Sequence, residues 1–188
     1  MTQRMASDIM VGMWVVWGTY WYAAAFNTKK SVYVQPRWQR WLYLVPGAVI
    51  LAAFQIPAMR VRFWPFRADV AAVGMGLAAA GFGFCMWARV ILGRNWSGIV
   101  TVKEGHELVQ RGPYAVVRHP IYTGIFLAII GTILALTPTP GGILVVVVLL
   151  SSFFVKLLQE EKVMIKEFPE AYPAYKERVR ARLVPFVI

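Results

Sequence analysis

IYTGIFLAIIGTILALTPTPGGILVVVVLLSSFFVKLL, residues 121–158, is the stretch that decides the fold. Two apolar runs are separated only by Thr137-Pro138-Thr139-Pro140-Gly141-Gly142, and neither carries a charge before Lys156. Proline and glycine punctuate that connection, which is long enough only for a tight helical hairpin. Uncharged stretches of this kind read as membrane helices. The two runs, 121–136 and 143–158, sit near the lower length limit for crossing a bilayer. They are expected to cross obliquely as a pair or to dip in together.

Working outward toward the N-terminus, three more apolar runs appear at 8–26, 42–59 and 70–92. The first is rich in aromatics (Trp14, Trp17, Tyr20, Trp21, Tyr22). Asp8 at its start, its length and the lack of a small-residue cleavage site argue against a removable signal peptide. The expected fold class is therefore all-α, a polytopic membrane protein of about five transmembrane helices in one membrane domain, 1–188. Residues 1–92 form a three-span scaffold. Residues 93–188 hold a loop around Arg118-His119-Pro120, the hairpin 121–158 and C-terminal helices over 160–183.

Composition agrees. Of 188 residues, 59% are apolar and only 15% charged, with mean hydropathy +0.55, against roughly 25% charged in an average soluble domain. A water-soluble globular protein and a disordered chain are both excluded. Cys85 is alone, which excludes a disulfide framework and multi-cysteine zinc sites. The formal net charge of +11 is read as a basic cytoplasmic face against anionic membrane lipid rather than as a nucleic-acid surface.

Five spans would put Arg4, Arg60, Arg62 and Arg67 on one side and the other sixteen Lys and Arg on the opposite one. The positive-inside bias then predicts an outward N-terminus and a cytoplasmic C-terminus. In the third run, Gly74, Gly76, Gly81 and Gly83 stand among alanines. They resemble a dinucleotide fingerprint only superficially, because no strand precedes them and no acid follows at the required distance. Close helix packing is the expected use. Cys85 is expected to pack.

Two segments break the apolar pattern on the predicted cytoplasmic side, 93–120 and 160–188. They contain both histidines, His106 and His119. Pro120 suits the first position of a helix, so Arg118 and His119 stand at a helix N-terminus at the membrane boundary, able to hold a carboxylate or phosphate. Glu160-Glu161 closes the last span; such carboxylates are costly there unless paired or hydrated. They are expected to hold a cationic cofactor group or to pair with Arg118. Pro169 and Pro173 predict a helix ending near Phe168 and another beginning at one of the prolines. The apolar end 183–188 is expected on the membrane or over the site. A metal site of His106, His119, Glu160 and Glu161 lacks a close histidine pair, and no metal is expected.

The pattern Leu-Val-x-x-Gly-x-Tyr-x-x-x-Arg-His-Pro-x-Tyr-x-Gly over 108–124, preceded by His106, is followed by Glu-Glu and Tyr-Lys-x-Arg-Val over 160–179. Together they resemble the isoprenylcysteine carboxyl methyltransferase family, related to phospholipid N-methyltransferases. The resemblance covers about half of the chain. It implies S-adenosylmethionine as methyl donor, held in a cytoplasmic pocket made by the Arg-His-Pro loop, the last spans and the C-terminal helices. By position it implies cofactor contacts from His106, Leu108, Val109, Gly112, Tyr114, His119, Pro120 and Glu161, with Tyr122 and Glu160 beside them. It places Arg118 and Arg178 near the methyl-transfer centre. Phe168-Pro169 departs from the family's Phe-Gly, and Arg180-Ala181-Arg182 from its Pro-Thr-Gly-like turn, which leaves the acceptor open.

A prenylcysteine carboxylate is the acceptor that the family name implies. A phospholipid amine or a small thiol fits the residues nearly as well, and a membrane fold suits an acceptor that is lipidic. A different class of reading is an NADPH-dependent membrane sterol or lipid reductase, which Glu160-Glu161 disfavours because a dinucleotide brings phosphates. A non-catalytic scaffold or transporter subunit is the third reading; no internal repeat or mid-span charge supports transport.

Overall fold

The computed structural model describes residues 1–36, 44–136 and 138–184. The expected second span's first residues, 42–43, lie outside them, as do Arg37, Arg40, Thr137 and the apolar end 185–188.

Helix α1 (Gln3–Ala25) starts at Thr2, whose hydroxyl accepts the Met5 N–H. Strand β1 (Ser31–Val34) follows, then α2 (Leu44–Ala53) and a 3-10 turn, Pro57–Arg60. Helix α3 (Ala68–Leu92) leads to β2 (Thr101–Lys103), which pairs antiparallel with β1, Val34 opposite Thr101. Helices α4 (Pro120–Leu136), α5 (Pro140–Glu167) and α6 (Ala171–Arg178) complete the chain.

The fold is thus mostly helical but not all-α. The chain leaves α1 and α3 at neighbouring ends, where β-branched Val32, Val34, Thr101 and Val102 favour an extended ladder over a third helix. Arg89 ties those ends together. Its two terminal nitrogens donate to Ala24 O and Gly93 O, both at 2.6 Å. These are carbonyls at the C-termini of α1 and α3, where a cation suits the helix dipole. Trp96 stacks on the same guanidinium, 4.7 Å from ring centroid to Cζ.

By length and composition, two helical stretches among the described residues qualify as membrane spans, Ala68–Asn95 and Pro140–Glu167. The apolar helix Pro120–Leu136 is shorter. The described part of α2 has 10 residues, about 15 Å of helix against a hydrocarbon core of about 30 Å. The exterior is apolar: Leu51 is 70% exposed, Val16 67% and Val73 65%. Large aliphatic side chains turned outward along several helices, around an interior of small residues, are the pattern of a protein solvated by lipid.

That interior is the α3–α4 contact. A Cβ on Gly74 or Gly81 would lie 2.5 Å from backbone nitrogens of α4, at Ala135 and Ala128. One on Gly124 would meet Gly81 O at 2.6 Å and one on Gly131 would meet Gly74 O at 2.5 Å. Two helices cross here backbone to backbone, with buried Ala78, Cys85 and Ala128 filling the seam. Gly76 and Gly83 face open space. The packing reading of the glycines therefore holds for half of the run, the pair seven residues apart on one face.

The last span is longer than expected at both ends. Thr139 caps α5, its hydroxyl accepting the Gly142 N–H at 3.0 Å, with Pro140 in the first turn. Gly141 and Gly142 therefore belong to the helix rather than to the connection. A Cβ on Gly141 would meet Met59 O at 2.7 Å, so glycine lets the 3-10 turn approach. At the other end, nothing in Gln159-Glu160-Glu161-Lys162 breaks a helix, and α5 continues to Glu167 with Phe168 as its cap. Helix α6 then begins at Ala171 with Pro173 in its first turn, where the missing N–H has no helical partner to lose.

Candidate active site

A cavity of about 390 Å³ opens beside the start of α4. Its apolar end is aromatic, with Trp17 and Trp21 of α1, Trp96 after α3 and Phe153 of α5. These residues stack in sequence: Trp17 on Trp21 with centroids 4.9 Å apart, and Trp21 edge-on to Trp96 at 5.3 Å. Its polar end collects His119, Lys156 and Glu160, with His119 and Lys156 3.6 and 3.7 Å from the Glu160 carboxylate; His106 also lines the cavity. The volume falls within the range of small-molecule sites, where apolar walls carry a few placed polar groups.

Helical geometry separates the two adjacent carboxylates. Residues next to each other on a helix point about 100° apart. Glu160 faces the cavity, where it accepts the Tyr122 hydroxyl at 2.6 Å. Glu161 turns into the protein and accepts Arg118 Nε–H at 2.8 Å, both side chains almost fully buried. Lys176 and Arg182 stand 3.7 and 3.8 Å from Glu161. The expectation of a pair with Arg118 is met by one carboxylate; the other is left facing the cavity. His119 lies between them, Nδ1 3.6 Å from Glu160 and Nε2 3.6 Å from Glu161. Its ring is parallel to Tyr122, centroids 5.6 Å apart.

The backbone at Arg118-His119, just before the helix, is already engaged. Its backbone N–H groups donate to Ala181 O and Arg182 O, each at 3.0 Å. Nearby, the loop holding His106 is set by a backbone bond, Lys103 N–H to His106 Nδ1 at 3.1 Å, with Phe168 against the ring. Burial lowers the His106 pKa from its ordinary 6.5. Burial also pushes the Tyr175 hydroxyl up to about 12, and that hydroxyl donates to Tyr114 O at 2.7 Å.

Of the residues singled out in the sequence, Arg118, His106, Leu108, Val109, Tyr114, His119, Pro120, Tyr122 and Glu160 line the cavity. Gly112, Glu161 and Arg178 do not. Gly112 has φ of 59° and opens a 3-10 turn against Ile91, a backbone role. Arg178 is exposed and donates to the Gln110 side chain. The sequence reading did not single out Trp17, Trp21, Asn95, Trp96, Thr101 or Lys156 as site residues, yet all line the cavity. Trp17 and Trp21, one helical turn apart, were the available signal.

The described residues fit a donor such as S-adenosylmethionine. Asn95 Oδ1, Thr101 Oγ1 and His119 Nε2 are buried and have no hydrogen-bond partner among the described residues. Buried polar atoms of this kind normally have one. A carboxylate at the polar end suits a cationic group, and the indole rings suit a flat heterocycle.

Comparison with known proteins places this geometry. The family model described as the isoprenylcysteine carboxyl methyltransferase (ICMT) family matches residues 74–166. A protein-S-isoprenylcysteine O-methyltransferase of Mus musculus is 33% identical over 130 residues, which is 66% of this chain and 46% of the relative. One of Schizosaccharomyces pombe is 35% identical over 94 residues, 49% of this chain and 40% of the relative. The chain thus spans about half the length of these curated relatives. Among solved structures, the eukaryotic intramembrane Ras methyltransferase ICMT superposes with a TM-score of 0.55 at 22% identity. That match covers 83% of this chain and 55% of that one, and it establishes a shared fold.

Proposed function

We propose, from the match of residues 74–166 to the isoprenylcysteine carboxyl methyltransferase family, that the chain belongs to that family and methylates the carboxylate of a prenylcysteine-like acceptor with S-adenosylmethionine as donor. The observation that carries this reading is the cavity, whose polar end sets Glu160 and His119 beside an aromatic wall. Names of relatives support the acceptor class.

Bound there, the donor supplies a methyl already activated by sulfonium charge. Transfer of that methyl to the acceptor carboxylate would give a methyl ester and leave S-adenosylhomocysteine. A carboxylate is nucleophilic at neutral pH, so no residue has to remove a proton. The protein's part is to bind, align and exclude water. Glu160, held by Tyr122 and 3.7 Å from Lys156, would supply the carboxylate for the cationic donor. The indoles of Trp17, Trp21 and Trp96 keep the site dry. Lys156 lines the same wall, its ammonium donating to Gly98 O at 2.8 Å and standing 3.7 Å from Glu160.

The cavity opens toward the cytoplasm in this reading, because sixteen of the 20 Lys and Arg fall on its side of the chain. A phospholipid amine or thiol acceptor would require a base, for which His119 is placed.

Calorimetric titration of the detergent-purified protein with S-adenosylhomocysteine, with NADPH as control, tests the donor. Radiolabelled methyl transfer to an S-farnesylcysteine derivative tests the acceptor. Selective NADPH binding would replace the reading with a lipid reductase. Donor binding without transfer to the prenylcysteine would move the acceptor to an amine or thiol.

A further inference from the structure

We propose that Arg118 is a positioning residue. It fastens the C-terminal stretch 179–183 across the start of α4, and this holds His119 against Glu160 at the cavity wall. The proposal builds on the reading of that cavity as the donor site.

Five consecutive carbonyls are gripped from one place. Arg118 Nη1–H donates to Val179 O and Arg180 O, both at 2.7 Å. The Arg118 backbone N–H takes Ala181 O and the His119 N–H takes Arg182 O. The Thr123 hydroxyl donates to Leu183 O at 2.5 Å. Beyond Arg178 the chain has no helix or strand of its own among the described residues, so these bonds set its path. The Arg118 side chain is 4% exposed, and its Nε–H is committed to Glu161. A guanidinium committed to two backbone carbonyls and a buried carboxylate is built to hold structure, although Arg118 and its neighbour His119 both reach the cavity wall. Glu161 anchors the arrangement from α5 and also faces Arg182 of the held stretch at 3.8 Å.

The stretch and the loop therefore fix each other. When the stretch leaves, the N–H of His119 loses its acceptor and Arg118 loses three, and the end of the loop before Pro120 is then held chiefly by the Arg118–Glu161 pair and the turn bonds to Pro113 O. His119 is the residue whose ring position that loop decides.

The test uses the full chain in detergent. Thr123→Val removes the hydroxyl's short bond to Leu183 O and its longer one, 3.2 Å, to the His119 backbone carbonyl, leaves the His119 side chain's own contacts in place, and Thr123 does not line the cavity. Arg118→Lys keeps a charge without the planar fork, and Arg118→Ala removes both. Three readouts are taken: trypsin cleavage after Arg178, Arg180 and Arg182 by mass spectrometry; the ring signals of the two histidines by NMR; and S-adenosylhomocysteine affinity. Cleavage is expected to quicken in the order native, Thr123→Val, Arg118→Lys, Arg118→Ala. The His119 signal should shift while that of His106 stays, and affinity should weaken about threefold in Thr123→Val and roughly tenfold or more in Arg118→Ala.

Arg118 acting directly on the reacting groups predicts a different result: Thr123→Val native in every readout and Arg118→Ala lowered in turnover alone. That result overturns the proposal. So does a released stretch in Thr123→Val with an unmoved His119 signal, which decides the matter even where Arg118→Ala fails to fold. Absence of donor binding in the native protein would overturn the function assigned to the cavity, while cleavage and the His119 signal still decide the clamp.

Discussion

At the scale of the residue, Glu160 and Glu161 show how neighbours with the same chemistry come to do different work. Glu160 touches the cavity and Glu161 closes a buried ion pair. Glu160→Gln is expected to weaken S-adenosylhomocysteine binding roughly tenfold with little change in melting temperature. Glu161→Gln leaves Arg118 buried without its counter-charge, a loss on the order of 3–5 kcal/mol, and is expected to lower the melting temperature first. Thermal unfolding and titration of the two variants separate these effects. His106 adds a pH dependence. Burial holds its folded-state pKa below the 6.5 of an unfolded chain, so the folded state binds fewer protons. The stability it contributes is present above pH 6.5 and is lost as pH falls toward the depressed folded value. Protonation at Nδ1 would also cancel the bond from the Lys103 N–H. Melting temperature followed from pH 7.5 to 5 should decline, and His106→Gln should flatten the decline.

At the scale of the element, the α3–α4 seam depends on two glycines in each helix. Gly81→Leu forces side-chain atoms into the backbone around Ala128. It is expected to separate the helices and abolish the folded, monodisperse protein on size exclusion. Gly83→Ala, two residues on, meets open space and is expected to be neutral or to gain up to about 1 kcal/mol of helix propensity. A shared effect of the two would mean that the glycines act through backbone flexibility instead of close approach. The glycine string was visible in the sequence, but its active half was not. Helical phase alone does not say which face meets a neighbour, and Gly74 with Gly81 was as plausible as Gly76 with Gly83 until α4 was in place.

At the scale of the molecule, the ends of elements collect on two sides. Lys29 Nζ donates to Gly105 O at 2.6 Å and Arg89 joins the ends of α1 and α3, which brings the loops after both helices to the cavity side. On the other side, Phe63 N–H donates to Pro138 O at 3.1 Å. Cysteines introduced at exposed Lys30 and Arg62 are therefore expected to label from opposite faces of a sealed vesicle, Lys30→Cys from the cytoplasmic one. Native Cys85 is fully buried and should give little background. Labelling of both from one face would overturn the assigned topology.

The sequence by itself determined that this chain lives in a membrane, where its helical hairpin turns, and which loop and which C-terminal segment carry polar chemistry. Those properties follow from hydropathy, proline and glycine, all of which act locally along the chain. Only the tertiary structure decided which of two adjacent glutamates faces the cavity, that Gly112 and Arg178 stand outside it while Trp17, Trp21 and Lys156 stand inside, and that the backbone N–H groups at Arg118-His119 are already taken by the end of the chain. Each of these depends on residues far apart in sequence meeting in space, and an orientation about a helix axis is fixed by what the helix packs against.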